Sequence, residues 1–503
     1  MTWRGRAGPN GAWAGPNMTD LVFLTASQLA KAIIMRELSA VEVLEAHLEQ
    51  VSRHNHKLNA LVTLNEEAAR QRAREADAAL ARGEIWGPLH GVPVTIKDAF
   101  ETAGLRTTSS YKPLANYVPQ QDAAVVARLR AAGAIILGKT NMPALAGDYQ
   151  SDSRLFGRAN NPWDLTRTPG GSTGGGAAAV AAGLSPLEIG SDAGGSLRVP
   201  AHFCGVFGFK PTQHRVSGAG HIPPLPGSPK TRRHLMSFGP LARCVEDLSL
   251  CLSVVAAPDA RDGGQWPIPL DVPQRKHLRE RRFAWTDGFG GIPTTAETRS
   301  ALEKLATELV RLGCRVERRN PEGFDFGRAL RIWGEIYATE RHAWSPVLRR
   351  LLMLLGTTAM AARSPFTRGF STGLRLSAGS YLRALEQRDI LAGKLDRFLA
   401  DSDAWICPVA SESAFTHRKA WELGNPLLVD GRKVPYEMAA GAYAAVFSLT
   451  GNPVVVLPLA RSEDGLPIGL QLVGRCWRDM GLLAVAEQMS AEVTGPFRRP
   501  PGY

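Results

Sequence analysis

Residues 123–141 read AAVVARLRAAGAIILGKTN. The first twelve residues, AAVVARLRAAGA, read as a helix, and IILGKTN then reads as a short buried strand. Upstream, VPVTIKDAF at 92–100 is a second strand-like run ending in a lysine. Downstream comes a glycine-rich segment, PGGSTGGG at 169–176, then AAAVAAGL as a helix and SPLEIGSD at 185–192 as another strand. Strands alternating with helices predict an α/β fold: a large mixed, mostly parallel central sheet flanked by helices.

Outward from this centre the pattern changes twice. Residues 21–90 read as helical, with capping boxes at Thr25–Gln28 and Ser39–Glu42 opening two of the helices. Residues 91–260 form the core, and 261–400 a connector followed by a mainly helical insertion expected to cover the active-site end. That insertion concentrates Trp333, Tyr337, Trp344, Phe366, Phe370 and Tyr381. Strands return at AWICPVA, NPVVVLPLA and IGLQLVG, so 401–503 completes the α/β core. Residues 1–20, with AGPN twice, read as a disordered tail or as an upstream start before Met18.

The chain has 503 residues, enough to bury a substantial core. Its net charge is +12, but the basic residues are dispersed. The densest run, RKHLRERR at 275–282, has no aromatics to stack bases, so no nucleic-acid partner is expected. Six cysteines, at 204, 244, 251, 314, 407 and 476, form no CxxC pair and read as free thiols in a reducing compartment. No secretory leader and no apolar run of spanning length is evident, which predicts a cytoplasmic protein without a stable membrane span. LLMLLGTTAMAA at 351–362 is too short to span; it fits a buried helix, a pocket wall or a membrane-surface patch.

Two serines sit among glycines, 24 positions apart. GGSTG at 170–174 fits the nucleophile elbow of α/β-hydrolases, which requires a later acid and then a histidine, yet no histidine follows His417. DAGGS at 192–196 suits acyl transfer better. A run of small residues can turn the N–H groups of Ala193, Gly194, Gly195 and Ser196 toward one point, as an oxyanion hole requires. A serine nucleophile needs a base. Lys97 ends an apolar strand, where burial would favour its neutral amine; a surface lysine at a strand end is the alternative. His202 and Cys204 read as packed core residues, and no group has metal-ligand spacing.

HGVPVTIKD, GGSTGGGAAAVAAG and GSDAGGSLRVPAHFCGVFGFKPT, in this order, closely resemble the amidase signature family, as do GPLARCVEDL, LTGNPVVVLPLA and GLPIGLQLVGR. The resemblance covers residues 20–495. It implies a Ser–cis-Ser–Lys triad with Ser196 as nucleophile, Ser172 as the bridging serine after a cis peptide, and Lys97 as base. It also implies supporting positions for Asp192, Arg198 and Thr173, no cofactor and no metal. Thr173 stands where the family usually has serine, and Ala144 where a glutamate is common.

The family spans general amidases, aryl-acylamidases, carbamate-cleaving enzymes, lactam-oligomer hydrolases, lipid amidases and a tRNA-dependent amidotransferase subunit that releases ammonia from glutamine. After KPT this chain has a proline-rich run, QHRVSGAGHIPPLPGSPK, in place of the amidotransferase pattern. With the aromatic insertion, this predicts hydrolysis of apolar or aromatic amides, with carbamate or ester side activity, by a monomer or homodimer acting on a small molecule. The amidotransferase subunit is the alternative.

Overall fold

The computed structural model describes residues 18–228, 234–262, 267–360, 364–419 and 426–503. Residues 1–17, on which the tail reading falls, lie outside them. The strands are β1 (Leu61–Leu64), β2 (Pro93–Lys97), β3 (Ile135–Thr140), β4 (Leu187–Asp192), β5 (Phe207–Lys210), β6 (Ser237–Ala242), β7 (Arg282–Trp285), β8 (Arg315–Arg318), β9 (Ala404–Pro408), β10 (Leu427–Val429), β11 (Arg432–Val434), β12 (Val454–Arg461) and β13 (Pro467–Val473). Eleven of them form one sheet, ordered β1-β3-β2-β4-β6-β5-β12-β13-β9-β7-β8, and β10 and β11 form a separate hairpin.

The sheet is mixed, as expected, but not mostly parallel: its antiparallel neighbours outnumber its parallel ones. Parallel pairing joins β2 to β3 and β4, and β7 to β8 and β9; the other neighbours run antiparallel. Every residue of β2, β3 and β4 is buried, which explains why these strands read as near-continuous apolar runs rather than alternating ones. β1 interrupts the region expected to be all helical. Its four residues pair antiparallel with β3, and Asn65 N–H donates to Leu137 O beyond its end.

Both N-terminal capping boxes form. The first of these helices, Ala26–Ile34, is pinned by Asp247, whose carboxylate accepts from the Ala26 and Ser27 N–H groups at 2.7 and 2.9 Å. The insertion folds into helices Phe326–His342, Val347–Met360, Pro365–Gly373 and Ala378–Phe398. The first and third pack backbone to backbone, because glycine at 369 leaves no Cβ to meet the Arg331 carbonyl. On Val347–Met360, Leu348, Leu351, Leu352 and Leu355 are each at least half exposed. Among the described residues no helix is long and apolar enough to cross a membrane.

β2 and β4 run parallel, with Ile96 opposite Ile189. Lys97 is therefore the last residue of one strand, and Ser191 and Asp192 end its neighbour. Side chains at the carboxyl ends of adjacent parallel strands converge on one crevice, where open α/β sheets place their ligands.

Candidate active site

Lys97 is fully buried at this edge. Its Nζ donates to Ser172 Oγ at 2.7 Å, Thr173 Oγ1 at 2.9 Å and Ser191 Oγ at 3.1 Å, with the Ser191 carbonyl at 3.4 Å. Burial lowers its pKa to about 7; the charges of Asp192 and Glu188 oppose that shift. Near neutrality a large fraction of the amine is thus unprotonated, and the same hydroxyls can turn to donate to it. Burial also pushes Glu188 up to about 7.

The peptide bond between Gly171 and Ser172 is cis. Ser172 and Ser196 both line the cavity that reaches this edge, but Ser172 has no exposed surface whereas Ser196 is half-buried. Only an accessible hydroxyl can attack a bound carbonyl, so the geometry favours Ser196 over Ser172 as nucleophile. The cavity is narrow, about 40 Å³, and opens to solvent beside Ser196.

Thr173 contacts Lys97 directly through its hydroxyl. Its methyl lies against Gly190, where a Cβ would stand 2.6 Å away. The loop after β4 is held from below by an ion pair. Arg198 Nε and Nη2 meet Asp192 Oδ2 and Oδ1 at 3.0 and 2.8 Å, with neither side chain exposed. Burial alone would raise Asp192. The Arg198 charge and hydrogen bonds, the Leu197 N–H and the Lys210 charge outweigh it, and the carboxyl titrates below its ordinary range.

The expected oxyanion donors divide. Gly195 N–H is spent on Asp192 Oδ1 at 2.7 Å and is not aimed at the cavity, a correction to the four-donor expectation. Its φ of +122° suits only glycine and lets the chain double back onto the carboxylate. Among the described residues the N–H groups of Ala193, Gly194 and Ser196 make no hydrogen bond. Two side chains that sequence reasoning did not assign to this loop hold it from above. Trp333 Nε1 donates to Ala193 O at 2.8 Å, and Tyr149 OH donates to Gly194 O at 3.1 Å. Because the C=O and N–H of one peptide point opposite ways, the bond to Ala193 O turns the Gly194 N–H away from Trp333, and the bond to Gly194 O turns the Gly195 N–H toward Asp192. A Cβ on Gly194 would stand 2.5 Å from the Trp333 ring, so the indole sits directly on the loop.

The aromatic insertion does something other than line a pocket. Trp333 stacks on Tyr337 at 4.9 Å, and Phe366 lies 5.0 Å from Trp333 and 6.0 Å from Phe370. Of these four rings only Tyr337 lines the cavity. Its wall is completed by Leu145, Ala146, Pro223, Leu235 and Met236, with His221, His234, Glu340 and Arg341 as the polar members beyond the serines. Pro223 belongs to the proline-rich run after KPT.

Residues 42–483 match the family model Amidase. The chain belongs to the Amidase family. It is 46% identical over 506 residues to a glutamyl-tRNA(Gln) amidotransferase subunit of Carboxydothermus hydrogenoformans, covering 93% of this chain and 96% of the relative. The solved structure of the corresponding glutamyl-tRNA(Gln) amidotransferase subunit from Thermotoga maritima superposes with a TM-score of 0.75 at 25% identity, covering 96% of this chain and 98% of that one. That of 6-aminohexanoate cyclic dimer hydrolase with substrate gives 0.77 at 28%, covering 95% and 99%. The fold is that of the Amidase enzymes, and the chain is an amidase-type enzyme of carbon–nitrogen bonds. The expected preference for apolar or aromatic amides is overturned: the full-length likeness is to glutamyl-tRNA(Gln) amidotransferase subunits. Physically, that expectation counted rings that stack on one another instead of facing the cavity.

Proposed function

We propose that this chain is the ammonia-releasing subunit of an amidotransferase and acts on the side-chain amide of glutamine. The observation that carries the reading is the 46% identity to a glutamyl-tRNA(Gln) amidotransferase subunit over nearly the whole of both chains. The site supplies chemistry that fits it.

Ser196 Oγ attacks the carboxamide carbon while its proton passes through Ser172 to the neutral Lys97 amine. The Ala193, Gly194 and Ser196 N–H groups face the oxyanion of the tetrahedral intermediate. Collapse breaks the C–N bond. The proton returns from Lys97 through Ser172 to the departing nitrogen, and ammonia leaves a γ-glutamyl ester on Ser196. Water, deprotonated by the same relay, cleaves the ester to glutamate.

Such a role needs a partner chain. The leucines at 348, 351, 352 and 355 repeat at helical spacing and face solvent, a stripe that supports burial against another chain of the enzyme. This replaces the expectation of a monomer or homodimer.

The test is labelling with a diazoketone analogue of glutamine, followed by mass spectrometry. Modification of Ser196 that excess glutamine suppresses is the expected result. Label on Ser172 in place of Ser196 overturns the triad assignment, and failure of glutamine to protect Ser196 overturns the substrate.

A further inference from the structure

We propose that Glu188 is a positioning residue for Lys97: a carboxylate buried on the same face of the sheet, with one oxygen left without a partner, sets the charge of the amine that takes the proton. The inference rests on Lys97 as base and holds whichever amide is cleaved.

The register brings the two side chains onto one face. Thr95 and Glu188 are partners between β2 and β4, Lys97 and Thr140 between β2 and β3, and Thr95 and Lys97 stand two residues apart on one strand. Thr140 Oγ1 donates to Glu188 Oε1 at 2.7 Å. Glu188 Oε2 is buried and has no hydrogen-bond partner among the described residues. Helix Gly174–Ala181, which follows directly on Ser172 and Thr173, closes over the carboxylate. A Cβ on Gly176 would stand 2.5 Å from Glu188 Cδ, Cγ and Oε1. An orphan oxygen in such a place costs stability, and an apolar side chain would fill the space without that penalty.

The charges facing Glu188 come from the neighbouring strands: Lys97 on β2 and Lys139 on β3. Lys139 Nζ donates to Phe100 O and, at 3.0 Å each, to the Thr102 and Thr107 hydroxyls. Lys97 Nζ is likewise taken up by hydroxyls, so both lysines act on Glu188 through space. Leu241, opposite Glu188 on β6, and helix Gly174–Ala181 bring no charge. Asp192, farther along β4, also acts on Lys97, but its two oxygens are held by the Arg198 guanidinium. No guanidinium holds Glu188 among the described residues.

Burial pushes the Glu188 carboxyl up to about 7, against the Thr95 and Thr140 hydroxyls and the two lysine charges. Lys97 titrates in the same range, so the two ionise as a pair. An ionised Glu188 keeps the amine basic; a protonated one lets it shed its proton at lower pH.

The test follows the rate at which a fluorophosphonate labels Ser196, read by mass spectrometry across a pH series. That rate tracks the neutral fraction of Lys97 without reference to the substrate. In wild type it should rise through a midpoint near 7. Glu188→Gln keeps the shape and an acceptor for Thr140 while removing the charge. Its midpoint should fall by about one pH unit. Its plateau should drop by about two- to fivefold, since a less basic amine draws less strongly on Ser172. Glu188→Asp, which restores the charge, should bring the midpoint back toward wild type. Thr140→Val strips Oε1 of its hydrogen bond and favours the protonated carboxyl, so it should move the midpoint down by a smaller step. In the Glu188→Gln background it should move nothing further. Thermal melting identifies the variants that fold. A midpoint that stays in place or rises in folded Glu188→Gln overturns the proposal and leaves Lys97 as base. Should Glu188→Gln fail to fold, Thr140→Val decides on the same criterion. A wild-type rate that is flat with pH removes the lysine base and the proposal with it.

Discussion

The two walls of the cavity are built differently. On the sheet side Lys97, Ser172, Thr173, Ser191 and Asp192 have essentially no exposed surface, and Lys97 and Asp192 are saturated with polar partners. On the helical side, Trp333 and Tyr337 stack on each other, Trp333 and, from the loop after β3, Tyr149 each reach over to one carbonyl, and Arg341 has no charged partner among the described residues. The contrast teaches that bond-making groups are over-determined by neighbours close in the sheet, while the helical wall acts through a few long reaches. Damage to the first should abolish chemistry; damage to the second should tune it.

Ser196→Ala probes the sheet side hardest. Turnover should fall by ~10⁴-fold or more with melting temperature unchanged, since among the described residues the other serines lining the cavity, Ser172 and Ser191, are fully buried. Residual activity above a hundredth of wild type would break the distinction at once. Next is the base. Lys97→Met should cost ~10²–10⁴-fold at pH 7. Lys97→Arg should not rescue it, because guanidinium stays protonated.

The pH dependence follows from the direction of the Lys97 shift. Burial holds its pKa near 7, and the proposed mechanism uses the neutral form as base. In wild type kcat/KM should therefore rise with pH to a plateau above about 7, and fall about tenfold per unit below it. The apparent value belongs to the coupled Lys97–Ser172–Ser196 site. A pH-rate profile that is flat from 5 to 8 would remove lysine from the role.

Gly194→Ala attacks the seam between the walls. The new methyl would meet the Trp333 ring and displace the oxyanion loop, lowering kcat by ~10²–10³-fold. Trp333→Phe keeps the stacking ring and deletes only the bond to Ala193 O. It should lower kcat by about 5- to 10-fold with KM nearly unchanged, the size of one ordinary hydrogen bond. Smallest of all is Phe370→Ala. Its ring packs on Phe366 and His342 away from the cavity, so it should cost about 2 kcal/mol of stability and change all amide rates equally. A shift in substrate preference there would mean that the aromatic cluster reaches the substrate after all.

The sheet side was legible in the sequence to the extent that its residues are consecutive. VPVTIK and IGSD announce buried strands by composition, and the glycines around Ser172 and Ser196 announce tight backbone. Ser191 was passed over because a serine in a strand carries no signal of its own; it becomes a partner of Lys97 only through the parallel register of β2 and β4. The commitment of the Gly195 N–H to Asp192 is likewise a matter of backbone direction, which glycine leaves open. Tyr149 and Trp333 lie 45 and 140 residues from the carbonyls they hold, a distance that no periodicity spans. The aromatic enrichment of 325–381 was visible, but a ring that stacks on a ring has the same composition as a ring that stacks on a ligand. Substrate class was misread for that reason.

The burial of Lys97 and Ser172 behind a half-exposed Ser196 has a consequence for the traffic of protons. In the proposed mechanism the tetrahedral adduct on Ser196, formed before the C–N bond breaks, plugs the mouth of the relay. A proton then resting on the lysine is cut off from bulk buffer, and it can leave only along the line on which it arrived, onto the departing nitrogen. The enzyme thereby keeps its own proton in transit through each bond cleavage. Its rate at fixed pH should accordingly be indifferent to the concentration and identity of the buffer, as if the reaction were run in a sealed vessel opened once per turnover to admit water.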